Sequence, residues 1–172
     1  METLVFDTSG LLNFGHRGEL EFLLPKLRSV FHLVVPVGVR GELVDADRKE
    51  YYERLLHEHF SVETVVATRL KLVDLRRLSG ILGNGEINVI LLCQQINGVA
   101  VLDDKQARHA ARSLGVRVMG TFGVLEKVCQ LGFCTDEECL GFVAKLVKNR
   151  FRAPALSGAR TFGEYLKTLG DG

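Results

Sequence analysis

Short apolar runs of strand length alternate along the chain with longer segments whose apolar residues recur at helical spacing. The runs are Leu4-Val5-Phe6, Phe31 to Val35, Val99-Ala100-Val101-Leu102 and Val116 to Met119, with Val62 to Val66 alternating as an edge strand. Residues 16 to 28 place Leu20, Leu23, Leu24 and Leu27 on one helical face. Pro36 suits the first turn of a helix that carries Val39, Glu42 and Leu43. Residues 47 to 60, with Tyr51, Leu55 and Leu56, read as an exposed amphipathic helix, and Leu70, Val73, Leu78, Ile81 and Leu82 share a face that ends at Gly83-Asn84-Gly85. Glu86 to Cys93 is apolar nearly all round, which predicts a buried helix with Glu86 in its first turn, where a carboxylate suits the dipole. Further helices are predicted to about Leu114, to about Leu131, from Asp136 onward, and from Phe162 to Leu169. Strands and helices in this alternation, joined by right-handed crossovers, predict a three-layer α/β/α fold around a central, mostly parallel five-stranded sheet. A chain of 172 residues fits a single domain, 1–172, with a core of about 1–132 and a C-terminal helical extension of about 133–172.

Composition narrows the class without naming a ligand. The formal net charge is +1, so the chain is not a strongly basic nucleic-acid binder as a whole. A local basic face is still open, and the tail offers Lys145, Lys148, Arg150, Arg152, Arg160 and Lys167 against Glu164 and Asp171. No run approaches the length of a membrane span and the first ten residues have no signal-like apolar core, so the expectation is a cytoplasmic protein with no membrane partner. Four cysteines fit that compartment as free thiols, and the spacing of Cys129, Cys134 and Cys139 matches no common zinc pattern. His16, His32, His57, His59 and His109 are not grouped as ligands.

The chemistry lies where apolar runs meet acids. Asp7 follows the first run, and Asp103 and Asp104 follow the Val99 run; Glu42 and Glu86 stand in helices that begin near the same edge of the sheet. Ligands bind to parallel sheets just beyond the carboxyl ends of the strands. The plain alternative for Asp103 and Asp104 is one helix cap and one solvated acid. Several carboxylates brought within a few Å of one another cannot all ionise cheaply unless a cation joins them, and hard oxygen donors select Mg²⁺ or Mn²⁺. Such a centre hydrolyses a phosphodiester without a nucleophilic Ser or Cys. Thr8 and Ser9 can cap the helix after the first strand. Thr121 is either an N-cap or a contact to phosphate or to another site residue, and Lys105 and Arg108 are either surface pairing groups, Asp104 with Arg108, or phosphate-binding groups. A phosphoacceptor receiver domain would need its acid pair after the first strand. A nucleotide loop at Gly80 to Gly85 would have to follow a strand, whereas this one follows a helix.

Val5-Phe6-Asp7-Thr8-Ser9, Pro36 followed by Glu42, Gly85-Glu86 opening an apolar helix, Leu102-Asp103-Asp104-Lys105-Gln106-Ala107-Arg108, and Gly120-Thr121-Phe122-Gly123-Val124-Leu125 together resemble the PIN-domain nucleases. The chain is most similar to the prokaryotic branch with a Gly-Glu third motif and an Asp-Asp-Lys fourth, over roughly residues 1 to 132. The resemblance implies a Mg²⁺- or Mn²⁺-dependent endoribonuclease acting on RNA, a homodimer and, in toxin-type members, a cognate antitoxin protein. It places Asp7, Glu42, Glu86 and Asp104 in the catalytic set and Asp7, Glu42, Glu86, Asp103 and Asp104 around the metal. Thr8, Ser9, Thr121, Lys105 and Arg108 support them or bind phosphate. Glu86 stands where toxin-type members more often carry Asp, one methylene shorter. The adjacent Asp103 and Asp104 leave open which is the direct ligand, Asp104 being where the family usually has its fourth acid. The alternative is a PIN-like module that binds RNA or a protein without cutting.

Overall fold

The computed structural model describes residues 1–43, 48–66, 78–154, 156 and 158–169. Five strands form one all-parallel sheet: β1 (Glu2–Phe6), β2 (Phe31–Pro36), β3 (Ser61–Glu63), β4 (Val99–Val101) and β5 (Arg117–Met119), in the order β3-β2-β1-β4-β5. β1 is central because it is apolar on both faces: Leu4, Val5 and Phe6 are all buried, as a strand covered by helices on either side requires. It pairs Leu4 with Val99 and Phe6 with Val101 on one flank, and Glu2 with Phe31 and Val5 with Val34 on the other. The chain leaves β1 toward β2 on one side and returns to β4 on the other. The carboxyl ends of β1 and β4 therefore bound the topological switch point, where α/β folds of this class place their ligands.

Among the described residues the helices are α1 (Thr8–Phe14), α2 (Leu24–Arg28), α3 (Val37–Glu42), α4 (Lys49–His59), α5 (Asn84–Ile96), α6 (Lys105–Ser113), α7 (Thr121–Gln130), α8 (Asp136–Lys148) and α9 (Phe162–Thr168). α5 lies against β1, β2 and β4 and also packs on α3, while α6 and α7 lie along β5. The tail forms α8 and α9, which pack on α7 and on each other, with Phe162 and Tyr165 buried.

Several boundaries differ from the sequence expectation. The helix after the first strand is α1, and the predicted helix over 16 to 28 is broken into a 3-10 turn (Glu21–Leu23) and the short α2. Pro25 explains the break: it occupies the first turn of α2, and inside a continuous helix it would remove a backbone bond and clash with the preceding turn. The left-handed backbone at Glu19, φ 54°, turns the chain just before it. Pro36 ends β2 and caps α3 in extended conformation instead of lying in the first turn. The third strand stops at Glu63, and Val66 N–H is taken by the Gln95 side chain at 3.0 Å instead of a neighbouring strand. Leu70 and Val73, on the predicted helix before Gly83, lie outside the described residues; of the rest of that face, Leu78 and Leu82 are buried but Ile81 is exposed.

Candidate active site

Asp7 is the first residue beyond β1 and the N-cap of α1: its Oδ1 accepts from Gly10 N–H at 2.7 Å. Its backbone N–H reaches Val101 O at 3.3 Å, tying the ends of β1 and β4 together. The carboxylate is 3% exposed. Burial raises its pKa from 3.8 to about 7; the Gly10 N–H opposes the shift, the nearby charges of Asp103 and Glu86 add to it, and a bond from Ser9 reduces it. The cap is therefore Asp7, with Thr8 and Ser9 beside it and not in its place. Thr8 Oγ1 instead donates to Glu42 Oε2 at 2.6 Å, fixing the acid at the end of α3 against the start of α1.

The two adjacent aspartates have different surroundings. Asp103 Oδ1 accepts from Thr121 N–H at 2.7 Å, and Oδ2 accepts from Thr121 Oγ1 at 2.6 Å and Asn13 Nδ2 at 2.9 Å. Asn13 also donates to Thr121 Oγ1 at 3.0 Å, so α1, the end of β4 and the start of α7 are joined by a single closed network. Desolvation raises the Asp103 pKa, while Thr121, Arg108 and Asn13 hold it down. Asp104 is exposed and caps α6, Oδ1 accepting from Ala107 N–H at 2.9 Å. Thr121 is not an N-cap: Gly120 occupies that position, and Thr121 is fully buried with both donors on Asp103. Arg108 donates Nη1 to Asp103 O at 2.6 Å and to Leu102 O at 3.3 Å, so its guanidinium is held at the strand end instead of pairing with Asp104. Lys105 is exposed in the first turn of α6.

Glu86 accepts Gly83 N–H on Oε2 at 3.0 Å, which anchors it at the start of α5. Burial raises its pKa, the Gly83 N–H opposes this, and the charges of Asp104 and Glu42 add to the rise. Those couplings link the five predicted acids, Asp7 to Asp103 and Glu86, and Glu86 to Asp104 and Glu42. A cleft of about 180 Å³ is lined by Asp7, Thr8, Ser9, Glu42 and Glu86 together with Gly83 and Gly85. Gly85 makes room for it: a Cβ there would stand 2.6 Å from Glu42 Oε2. Carboxylate and hydroxyl oxygens with neither sulfur nor imidazole, with Asp7 and Glu86 shifted toward protonation chiefly by burial and further by neighbouring acids, are a donor set that fits a hard divalent cation.

Among the described residues, the three ligand-type side chains with donor atoms all within 4.8 Å of one another are Glu21, Glu58 and His59. They lie at the opposite, amino edge of the sheet, and Arg54 already bridges Glu21 and Glu58 at 2.8 and 3.0 Å. The carboxyl-edge acids are spaced more widely, within electrostatic reach and short of a closed coordination shell. Sequence reasoning missed Asn13 and the role of Gly85. Asn13 was visible as an amide inside Leu11-Leu12-Asn13-Phe14, a position where a buried polar group must find partners.

A PilT N-terminus domain protein from the hyperthermophilic archaeon Sulfolobus solfataricus P2 aligns with 89% of this chain and 98% of its own, with a TM-score of 0.49 and 14% sequence identity. No significant relative is found among curated proteins. The PIN-domain family model matches residues 3–160, running past the stretch of 1 to 132 that carries the motifs and into the C-terminal helices. The chain belongs to the PIN-domain family.

Proposed function

We propose that the chain is a metal-dependent ribonuclease whose centre is the acid cluster beyond β1 and β4. PIN domains are in general nucleases, and the observation that carries the reading here is the convergence of Asp7, Glu42 and Glu86 on one cleft at the switch point, with Asp103 and Asp104 coupled to it. Asp7, Glu42, Glu86 and Asp104 would hold Mg²⁺ or Mn²⁺, Asp104 having one oxygen outside its capping bond. When bound, such an ion supplies positive charge to a phosphodiester and lowers the pKa of water. The protein's own part is positional. Thr8 holds the Glu42 carboxylate, Gly83 holds Glu86, and Thr121 with Asn13 fixes Asp103, so each acid is kept at a defined place around the strand ends. Arg108, pinned to the strand-end carbonyls, and Lys105 supply cations for the backbone of the RNA. An antitoxin partner and a homodimer extend the same reading from the toxin-type members the chain resembles.

The test is incubation of the purified protein with single-stranded RNA and Mg²⁺ or Mn²⁺, beside a chelated control and Asp7→Asn. The expected result is internal cleavage by the parent alone, reduced at least a hundredfold in the variant. Equal cutting by Asp7→Asn would place the chemistry elsewhere; RNA binding without any metal-dependent cutting would favour a non-catalytic PIN-like module.

A further inference from the structure

A second cleft, about 880 Å³, opens beside the acid cluster, in the upper part of the roughly 300–1,000 Å³ range of ligand-binding clefts. It is lined at one end by Asp103 and Gly120, so it meets the acid cluster at Asp103, although no residue lines both clefts. Its remaining walls come from α6, the first turns of α7, and the C-terminal segment that returns over them.

Cations outnumber acids in these walls. Arg108 and Arg112 project from α6, and Arg152 and Lys167 from the returning tail; the acids are Glu126 and Asp103, the latter already bonded to Thr121 and Asn13. Other tail cations are used differently, as Lys145 pairs with Glu19 at 3.3 Å on the exposed surface. The tail is also fixed in place: Tyr165 donates its hydroxyl to Pro154 O at 3.0 Å, and Phe122 packs edge-on against both Phe151 and Tyr165. Phe122 and Phe151 are only half buried, leaving aromatic surface in the same cleft as the cations.

Cations that bracket an aromatic wall suit an anionic polymer with unstacked bases. We propose that this cleft takes the nucleotides of a single RNA strand adjoining the bond at the acid cluster, with Arg152 and Lys167 on its phosphates and Phe122 and Phe151 against its bases. The identity of the ligand rests on the ribonuclease reading; the cleft and its charge do not. The C-terminal extension thereby becomes part of the substrate site and not an appendage to the fold.

The experiment is fluorescence anisotropy with a labelled single-stranded RNA of about a dozen nucleotides, in chelator so that nothing is cut, across a salt series. It compares the full chain, the double variant Arg152→Ala/Lys167→Ala, and the control Lys145→Ala/Lys148→Ala, which removes equal charge outside the cleft. The cleft variant is expected to bind at least tenfold more weakly, with the slope of log K against log salt lowered by about 1.4, two single-strand phosphate contacts. The control is expected to stay within twofold, and Arg152→Lys to recover part of the loss. Unchanged binding by the cleft variant, equal loss in the control, or no RNA binding by the parent would each overturn the proposal. In the cleavage assay the cleft variant is expected to raise KM with kcat within twofold. A parent that binds through the cleft yet cuts nothing with metal would refute the nuclease reading while leaving the cleft standing.

Discussion

At the scale of single residues, Asp7 does two jobs with opposing demands. As a helix cap it favours the charged form, yet it is buried beside Asp103 and Glu86, which favours the neutral one. A carboxyl whose pKa rises on folding from 3.8 to about 7 takes up protons on folding, so the metal-free protein loses stability as pH climbs through that window; the loss is complete above about 7 and absent below about 4. The shift corresponds to at most about 4 kcal/mol. Asn caps a helix as well as Asp does. In chelator at pH 8, Asp7→Asn is therefore expected to melt at or above the parent temperature, with the gap closing as pH is lowered toward 4. A variant that melts lower at pH 8 and keeps that deficit at pH 5 would show that the charged form is not strained. Asp7 was legible in the sequence because it ends an apolar run. The network around Asp103 was not, since the bonds it accepts from Asn13 and Thr121 span 90 and 18 positions and depend on the tertiary fold.

At the scale of elements, the strands were easier to read than the helices. Continuous apolar runs such as Leu4-Val5-Phe6 have one way of being buried on both faces, whereas Leu20, Leu23, Leu24 and Leu27 fit a helical face equally well when the backbone is a 3-10 turn followed by a short helix. The approach of α3 to α5 was invisible in one dimension. It depends on two glycines: a Cβ on Gly38 would meet the Asn88 amide at 2.6 Å, and one on Gly85 would meet the Glu42 carboxylate at the same distance. The clash at Gly85 involves the far end of a flexible side chain, so Glu42 yields before the backbone does. Gly85→Ala is expected to leave the melting temperature in chelator unchanged or slightly raised, since Ala favours the helix by up to about 1 kcal/mol. Mn²⁺ affinity is expected to fall at least tenfold. Calorimetric titration beside thermal melting checks both, and unchanged affinity would mean that Glu42 takes no part in holding the ion.

At the scale of the molecule, the order β3-β2-β1-β4-β5 turns acids separated by about a hundred positions into neighbours, because β1 and β4 are adjacent and parallel. The rhythm of strand and helix carried that much, so the location of the acids at one edge could be read before any coordinates. How far apart they stand could not, and the spread is wider than a closed metal shell; the tight trio of Glu21, Glu58 and His59 lies at the other end, its two acids bridged by Arg54. On the proposed reading, the carboxyl-edge acids gather a divalent cation. Isothermal titration of Mn²⁺ into the parent near pH 7.5 measures this, with Asp7→Asn, Asp104→Asn and Asp103→Asn beside it. Saturable binding by the parent is expected, lost at least tenfold in Asp7→Asn and Asp104→Asn. Asp103→Asn should keep more of the binding while melting lower, because its amide would face the donors of Thr121 and Asn13. Absence of heat in the parent, or binding by Asp7→Asn equal to the parent's, would contradict it.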